Sequence, residues 1–299
     1  MDNLQKRSTA NTHVVTLPDG RRLAYAEYGD PTGIPTLYFH GFPGSRLEAQ
    51  LFDLPARKQK LRVIAPDRNG IGLSDPKPDR CLLDWSRDVS DLLDSLDIEK
   101  VHLVAVSGGG PYALACASQY AKRIHDLTLV CPLGPLDQVE LMKSLRWPGR
   151  YSFKSVRTTP LLMQITYGLF IIPVAQRWPQ IIYQMMVAMA PPADTRVLNR
   201  HQVRKIMCGS ISEAARQGRS AILYEMFLYA KSWGFDISKI KMPVHLWHGT
   251  ADETVPMIHG NTIANSLENC KPHYIRGEGH FSLPINCVDR ILSESLSSG

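Results

Sequence analysis

The first part of the chain alternates short apolar runs with segments of helical periodicity. Four continuous apolar runs lie at 36–40, 61–67, 101–106 and 127–130. Runs of this kind are typical of strands that are buried on both faces of a parallel sheet. Ahead of them, HVVTL and RLAYAEYG are separated by Asp19-Gly20, a pair that favours a tight hairpin turn.

A helix is predicted between the second and third of these runs. Trp85, Val89 and Leu92 recur at helical spacing, and Asp84 stands ahead of them as the predicted N-cap. Strands that alternate with helices favour right-handed crossovers in one sheet. The pattern therefore predicts an α/β fold with a mostly parallel, doubly wound sheet.

The alternation stops near Gly134 and resumes near Met242. The residues between them are rich in Met, Trp and Tyr and are interrupted by prolines, which predicts a helical insertion. Beyond it we predict a strand in PVHLWHG, a helix over 258–267, a strand in HYIRGEG and a final helix that Pro284 opens. The predicted division is a flexible tail over 1–12, a sheet core over 13–133 and 242–299, and the insertion over 134–241.

The composition and the N-terminal sequence indicate the compartment in which we expect the chain. The polar N-terminus has no apolar segment of the kind that directs secretion, and the six cysteines form no C-x-x-C pair, so we expect free thiols in the cytoplasm. The longest apolar stretch, 161–175, is interrupted by Gln164, Gly168 and Pro173 and is too short to span a bilayer.

The net charge of +6 is unevenly distributed. Residues 134–235 hold 13 Lys and Arg against 5 Asp and Glu, so the excess positive charge lies in the predicted insertion. A nucleic-acid-binding protein would also need a reading motif, or a platform of interleaved aromatic and basic residues. Neither is visible in the sequence, and we expect no nucleic-acid partner.

The segment VHLVAVSGGGPYALA carries the sharpest chemical signal. A buried strand ends at Val106, Ser107 follows, and a helix with Pro111 in its first turn begins at once. A tight strand-to-helix turn raises the serine hydroxyl above the sheet, beside a helix N-terminus that stabilises negative charge. Ala105 replaces the glycine that is usual two residues before the serine, and it is small enough to pack there. Because the segment lacks the Lys-Ser/Thr pair of a phosphate-binding loop, we predict that Ser107 is a nucleophile.

A serine hydroxyl needs a base, and the base needs an acid that orients it. In a sheet of this kind both groups should follow the serine at strand ends, with the acid first. Asp252 comes directly after PVHLWHG, and His280 follows the next predicted strand. We therefore predict a triad of Ser107, His280 and Asp252.

The loop HGFPGS at 40–45 follows the third predicted strand. An oxyanion needs two backbone N–H donors, and we predict that Phe42 and Gly108 supply them. His40 is expected to hold this loop in place rather than to take part in catalysis. The remaining histidines show no H-E-x-x-H spacing, so we predict no metal and no cofactor.

Taken in order, the motifs resemble those of a known family. HGFPGS, DRNGIGLS, VSGGGPYAL, HGTADETVP and GEGHF are similar to the successive signatures of the α/β-hydrolase superfamily, and they span about residues 14–296. The resemblance implies a serine hydrolase whose helical insertion forms a cap over the active site. It also implies a structural loop over 67–74, and it offers Asp137 as a second place for the acid.

The same resemblance argues against some relatives. Enzymes that open epoxides or remove halogens carry aspartate where this chain has Ser107, so neither chemistry is expected. Proline-releasing peptidases usually have H-G-G-P-G in the oxyanion loop, and Phe42 departs from that pattern.

The predicted cap is both apolar and basic. Tyr167, Phe170, Met185 and Met189 are its candidates for substrate binding, although such residues could equally attach the cap to the core. Arg196, Arg200 and Arg204 are spaced four residues apart and are expected to form one helical stripe. A stripe of this kind would face solvent, attract an anionic or amphiphilic substrate, or contact an anionic membrane surface.

These features predict a carboxylic ester hydrolase, of the esterase, lipase or lactonase type. Its substrate would be a small hydrophobic or amphiphilic ester or lactone, cleaved through an acyl-serine intermediate. Two alternatives retain the triad. A lyase or cofactor-free oxygenase would use His280 as a base without an acyl-enzyme, and a small-molecule receptor would use the site for binding.

Overall fold

A computed structural model describes residues 11–296, so most of the predicted tail over 1–12 lies outside the described residues. The strands are β1 (Thr12–Thr16), β2 (Arg22–Gly29), β3 (Ile34–Phe39), β4 (Leu61–Pro66), β5 (Val101–Val106), β6 (Ile124–Val130), β7 (Val244–Gly249) and β8 (Cys270–Ile275). They form one sheet in the order β1-β2-β4-β3-β5-β6-β7-β8. β2 is antiparallel to both of its neighbours, whereas the pairs from β4 to β8 are parallel. The predicted α/β fold with a mostly parallel sheet is confirmed.

Helices cover both faces of the sheet. Those in the sheet region are α1 (Asp53–Lys58), α2 (Leu82–Ser95) and α3 (Gly109–Gln119). Those between β6 and β7 are α4 (Val139–Ser144), α5 (Trp147–Thr158), α6 (Pro160–Thr166), α7 (Ile172–Arg177), α8 (Pro179–Met189), α9 (Pro192–Leu198), α10 (His201–Ala214) and α11 (Arg219–Ala230), with a π-helical turn at Tyr167–Ile171. The last are α12 (Ile258–Ser266), α13 (Ser282–Asn286) and α14 (Val288–Leu296).

The period-2 alternation of the strands separates two apolar cores. In β3, Leu37 and Phe39 pack on one face with Trp85 of α2, while Tyr38 packs on the other face. All six residues of β5 are buried, as its continuous apolar sequence requires. Because β5 lies in the middle of the sheet, whatever follows its carboxyl end is held by rigid structure on both sides.

Several predicted element ends are wrong. The N-cap of α2 is Cys81, and Asp84 instead lies in the first turn, where its carboxylate accepts the Cys81 N–H at 2.7 Å. The final helix is interrupted at Cys287, so Pro284 lies inside a short helix rather than opening a long one. The last strand ends at Ile275, which leaves the residues up to His280 in a loop.

Candidate active site

Ser107 lies on the turn between β5 and α3, in the left-handed region with φ of +53°. Its backbone N–H donates to the Val130 carbonyl at 2.9 Å, and its own carbonyl accepts the Leu133 N–H at 3.1 Å. Residues other than glycine rarely adopt this conformation, and it persists where the surroundings hold it in place. The turn therefore has the geometry of a nucleophile elbow, with Ala105 fully buried in the strand before it.

Ser107 is followed by glycines because other segments of the chain approach this turn too closely to leave room for a side chain. A Cβ on Gly109 would lie 2.4 Å from the Phe39 carbonyl oxygen, and one on Gly108 would lie 2.7 Å from the Phe42 Cβ. Both positions thus allow the loop after β3 to pack directly against the elbow. This packing brings the two predicted oxyanion donors to the same place.

The structure brings the three predicted triad residues together. Ser107 Oγ lies 3.0 Å from His280 Nε2, and His280 Nδ1 lies 2.8 Å from Asp252 Oδ2. The other oxygen of Asp252 accepts the backbone N–H groups of Thr254 and Val255 at 2.9 and 2.8 Å. Asp137, the alternative acid, is exposed at the surface. The catalytic role of the three residues stays a prediction.

Charge within this site favours a positively charged histidine. Burial alone would raise the pKa of Asp252, but the charge of His280 and hydrogen bonds from His248 and His280 hold it well below its usual range. Burial would lower the pKa of His280, but the carboxylates of Asp252, Asp194 and Glu48 raise it above the ordinary value. A base in this environment is stabilised once it has taken up a proton.

The predicted oxyanion donors face no competing acceptor. Within residues 11–296, the backbone N–H groups of Phe42 and Gly108 donate no hydrogen bond. Both residues line the cavity into which Ser107 opens. The arrangement leaves two donors free for a developing oxyanion beside the serine, which is what acyl transfer requires.

A cavity of about 470 Å³ lies between the triad and the helices that follow β6. Its walls are mostly apolar and include Leu51, Phe52, Val106, Phe153, Met186, Met207 and Met226. Of the predicted substrate-binding candidates, Tyr167 and Met189 line this cavity. Phe170 and Met185 do not, because they lie on the outer faces of their helices, 63% and 54% exposed.

The predicted arginine stripe is also corrected. α9 ends at Leu198 and α10 begins at His201, so Arg196, Arg200 and Arg204 do not share one helix. All three are exposed, and none of them lines the cavity.

Two groups of side chains within the described residues bring three metal-ligand atoms within 4.8 Å of one another. The first group is Cys131, Asp252 and His280, of which the last two are already paired with each other. The second group is His245, His273 and Glu294 at the other end of β7; here His245 Nδ1 lies 3.3 Å from His273 Nε2, and Glu294 accepts a hydrogen bond from Lys271 at 3.2 Å. The absence of a metal stays a prediction.

Part of the sequence is similar to that of known proteins. A sequence profile of the alpha/beta hydrolase fold matches residues 35–160. A segment of 116 residues is 40% identical to the dihydrolipoyllysine-residue acetyltransferase component of the acetoin cleaving system of Pseudomonas putida, covering 38% of this chain and 31% of that protein. A segment of 122 residues is 30% identical to 3-oxoadipate enol-lactonase 1 of Acinetobacter baylyi, covering 41% and 46%. The chain thus spans less than half the length of these curated relatives.

The whole fold is similar to solved structures. A thermophilic esterase from Thermogutta terrifontis superposes with a TM-score of 0.67 over 96% of this chain and 98% of the esterase, at 21% sequence identity. The chain therefore has the α/β-hydrolase fold. The loop after β3, the elbow and the loops after β7 and β8 are the places where the chain carries its predicted site.

Sequence reasoning missed Glu48, a buried carboxylate beside the predicted oxyanion loop. One of its oxygens accepts the Gly41 N–H at 3.0 Å and the Tyr38 hydroxyl at 2.7 Å. Glu48 also lines the cavity and is 6% exposed. Burial raises its pKa, against hydrogen bonds from Gly41 and Tyr38 that lower it. The motif HGFPGSRLE places this residue eight positions after His40, but nothing in its spacing predicts a buried acid.

Two contacts from α11 hold the elbow and the oxyanion loop, and sequence reasoning missed both. Arg68 donates to the carbonyls of His40 and Gly41 at 2.6 and 3.0 Å, and it forms a fully buried ion pair with Glu225 of α11. The Tyr229 hydroxyl, also from α11, donates to the Gly108 carbonyl at 2.9 Å. The helices between β6 and β7 therefore support the site as well as cover it.

Proposed function

We propose that this protein is a serine hydrolase that cleaves a carboxylic ester or lactone with a hydrophobic acyl part. The observation that carries the proposal is the continuous arrangement of Ser107 Oγ, His280 and Asp252, which opens into an apolar cavity. A nucleophile, its base and the acid that orients the base are the parts that acyl transfer needs.

The proposed reaction has two halves. Ser107 Oγ attacks the carbonyl carbon while His280 Nε2 takes the hydroxyl proton, and the oxyanion accepts hydrogen bonds from the N–H groups of Phe42 and Gly108. The carbonyl re-forms, the bond to the leaving oxygen breaks, and His280 returns the proton to that oxygen. Water, with His280 as base again, then releases the acid and restores the free serine.

The walls of the cavity support an uncharged acyl group. Within the described residues, the only charged side chains besides the triad histidine that line it are Glu48 and Arg146. Arg146 donates to the Met189 carbonyl and lies 3.2 Å from Glu253, so its charge is already compensated. A carboxylate on the acyl part would lose its hydration without gaining a free cation. The similarity to an enol-lactonase supports including lactones among the proposed substrates.

A panel of esters and lactones that varies in acyl length and charge tests this proposal. We expect the wild-type protein to hydrolyse uncharged apolar esters and to react with a fluorophosphonate, and Ser107→Ala to lose both activities. Ser152→Ala is the matched control, because Ser152 lines the same cavity but lies on α5, outside the predicted triad and the oxyanion loop. Fluorophosphonate labelling that survives Ser107→Ala would contradict the nucleophile assignment.

Burst kinetics separate the two alternative functions from this one. A serine hydrolase with slow deacylation releases a stoichiometric burst of alcohol. A lyase or oxygenase that uses His280 as a base releases no such burst, and a receptor binds the ester without turnover.

A further inference from the structure

The exposed apolar side chains of this protein are concentrated in one segment. Of the sixteen large hydrophobic side chains that are exposed among the described residues, eleven lie between Trp147 and Met189. Large exposed apolar patches are uncommon on monomeric proteins and mark sites of interaction. This concentration needs an explanation beyond the cavity, because most of these side chains do not line it.

The exposed residues follow the outer faces of successive helices. Leu161, Ile165 and Leu169 are spaced four residues apart along α6 and the π-helical turn. Ile181 and Met185 have the same spacing on α8. Since residues four apart lie on one helix face, each segment presents an apolar stripe to solvent. We call these stripes, together with Trp147 and Tyr151 of α5, the outer cap surface.

Positive charge lies within the same segment. From Leu141 to Ala193 the chain contains six Lys and Arg and no Asp or Glu. Arg150 and Lys154 are exposed on α5, at helical spacing from Trp147 and Tyr151, so basic and apolar side chains share one face. Within residues 11–296, no helix is long and apolar enough to cross a membrane.

We propose that the outer cap surface docks on an anionic lipid surface. Apolar side chains that insert at the boundary of the acyl chains, surrounded by Lys and Arg that contact anionic headgroups, are the combination that gives reversible peripheral binding. Self-association through this surface is disfavoured, because a two-fold interface would bring two positively charged faces together. The charge therefore favours a lipid partner over a second copy.

The position of the surface relates docking to the cavity. Trp147 of the outer cap surface is exposed and lines the cavity, and so does Met189, which follows Met185 by four residues on α8. The outer cap surface therefore reaches the entrance of the cavity. In a docked molecule, the entrance of the cavity would face the lipid. The delivery of a lipid ester to Ser107 rests on the proposed function, whereas docking itself does not.

Co-sedimentation with vesicles tests the docking. We use Ser107→Ala so that no lipid is consumed, with vesicles of phosphatidylglycerol and phosphatidylcholine in equal amounts and with vesicles of phosphatidylcholine alone. We expect binding to the first kind that weakens as salt increases. Leu161→Ser/Leu169→Ser should abolish most of it, and Arg150→Gln/Lys154→Gln should lower the partition coefficient about fivefold for each charge removed.

Matched variants on the sheet region serve as controls. Ile34→Ser/Leu54→Ser changes two apolar side chains that are also exposed, and Lys58→Gln/Lys122→Gln removes two exposed charges elsewhere. These controls should bind like the parent protein. Equal binding by surface and control variants, or absence of binding, would overturn the proposal. A dimer in light scattering that Leu161→Ser/Leu169→Ser dissociates would assign the surface to self-association instead.

The two proposals fail separately. Absence of vesicle binding leaves fluorophosphonate labelling of Ser107 unaffected, and absence of labelling leaves vesicle binding of the Ser107→Ala protein unaffected.

Discussion

The carboxylate of Asp194 accepts a hydrogen bond from the backbone N–H of His280 at 3.0 Å. Its other oxygen accepts the N–H groups of Phe281 and Ser282 at 2.9 and 2.8 Å. Asp194 belongs to α9, whereas His280 follows β8, so one buried side chain joins the helical insertion to the loop that carries the predicted base. The position of that base therefore depends on the insertion.

Asp194→Ala should impair both stability and catalysis. Three backbone N–H groups lose their acceptor, which should lower the free energy of unfolding by about 2–4 kcal/mol in urea denaturation. Asp194→Asn keeps the shape but removes a charge that raises the pKa of His280. We expect its acid limb of kcat/KM to move to lower pH, and an unchanged limb would limit Asp194 to a structural role. Asp137→Ala, at an exposed aspartate, should leave stability and pH profile unchanged.

The activity should fall at acid pH. Burial lowers the pKa of His280, but Asp252, Asp194 and Glu48 outweigh that effect and raise it above about 6.5. Only the neutral imidazole can take the Ser107 proton, so kcat/KM should decline as pH falls through the raised pKa. Because Asp252 is the largest of the three carboxylate effects, Asp252→Asn should move the limb to lower pH and reduce kcat roughly 10³- to 10⁴-fold. Full activity of Asp252→Asn would remove Asp252 from the triad.

The ion pair between Arg68 and Glu225 should show strong coupling. Both side chains are 1% exposed, so Glu225→Gln leaves an uncompensated buried guanidinium and should cost about 3–5 kcal/mol of stability. The double variant Arg68→Met/Glu225→Met should lose less stability than the sum of the losses in Arg68→Met and Glu225→Met. If urea denaturation gives additive stability losses in this double-mutant cycle, the predicted coupling between Arg68 and Glu225 is contradicted.

Gly109→Ala should disrupt the elbow. Its Cβ would meet the Phe39 carbonyl at 2.4 Å, which forces the loop after β3 away from Ser107. We expect a stability loss of about 1–3 kcal/mol and much slower fluorophosphonate labelling. Gly149→Ala is the control, since a Cβ there has no atom within 4 Å. Equal labelling rates for the two variants would show that the elbow tolerates the displacement.

The sheet and the meeting of Ser107, Asp252 and His280 at one of its edges were predictable because both follow from local pattern. Continuous apolar runs mark β3 to β7, and Ser107, Asp252 and His280 each follow a strand end. Parallel strands bring such ends to one edge of the sheet, so residues 145 and 28 positions apart meet (252 − 107 and 280 − 252). The distances among the three side chains could be obtained only from the structure.

The supporting residues were not predictable, because their partners are distant in the sequence and unrelated in pattern. Asp194 lies in a stretch whose helical periodicity is ordinary, and only the packing of α9 shows that it faces His280. Glu225 likewise pairs with Arg68 across 157 positions. The predicted helix boundaries were wrong for a related reason. The predicted arginine stripe needs one continuous helix, whereas α9 ends at Leu198 and α10 begins at His201.

The central claim is that Ser107 forms an acyl-enzyme. The most informative measurement is mass spectrometry of the wild-type protein quenched during turnover of a short-chain ester, followed by peptide mapping. We predict a mass increase equal to the acyl group on the peptide that contains Ser107, absent from Ser107→Ala and longer-lived at acid pH, where protonated His280 cannot activate water. Turnover that proceeds at full rate with no acyl adduct on Ser107 would contradict it.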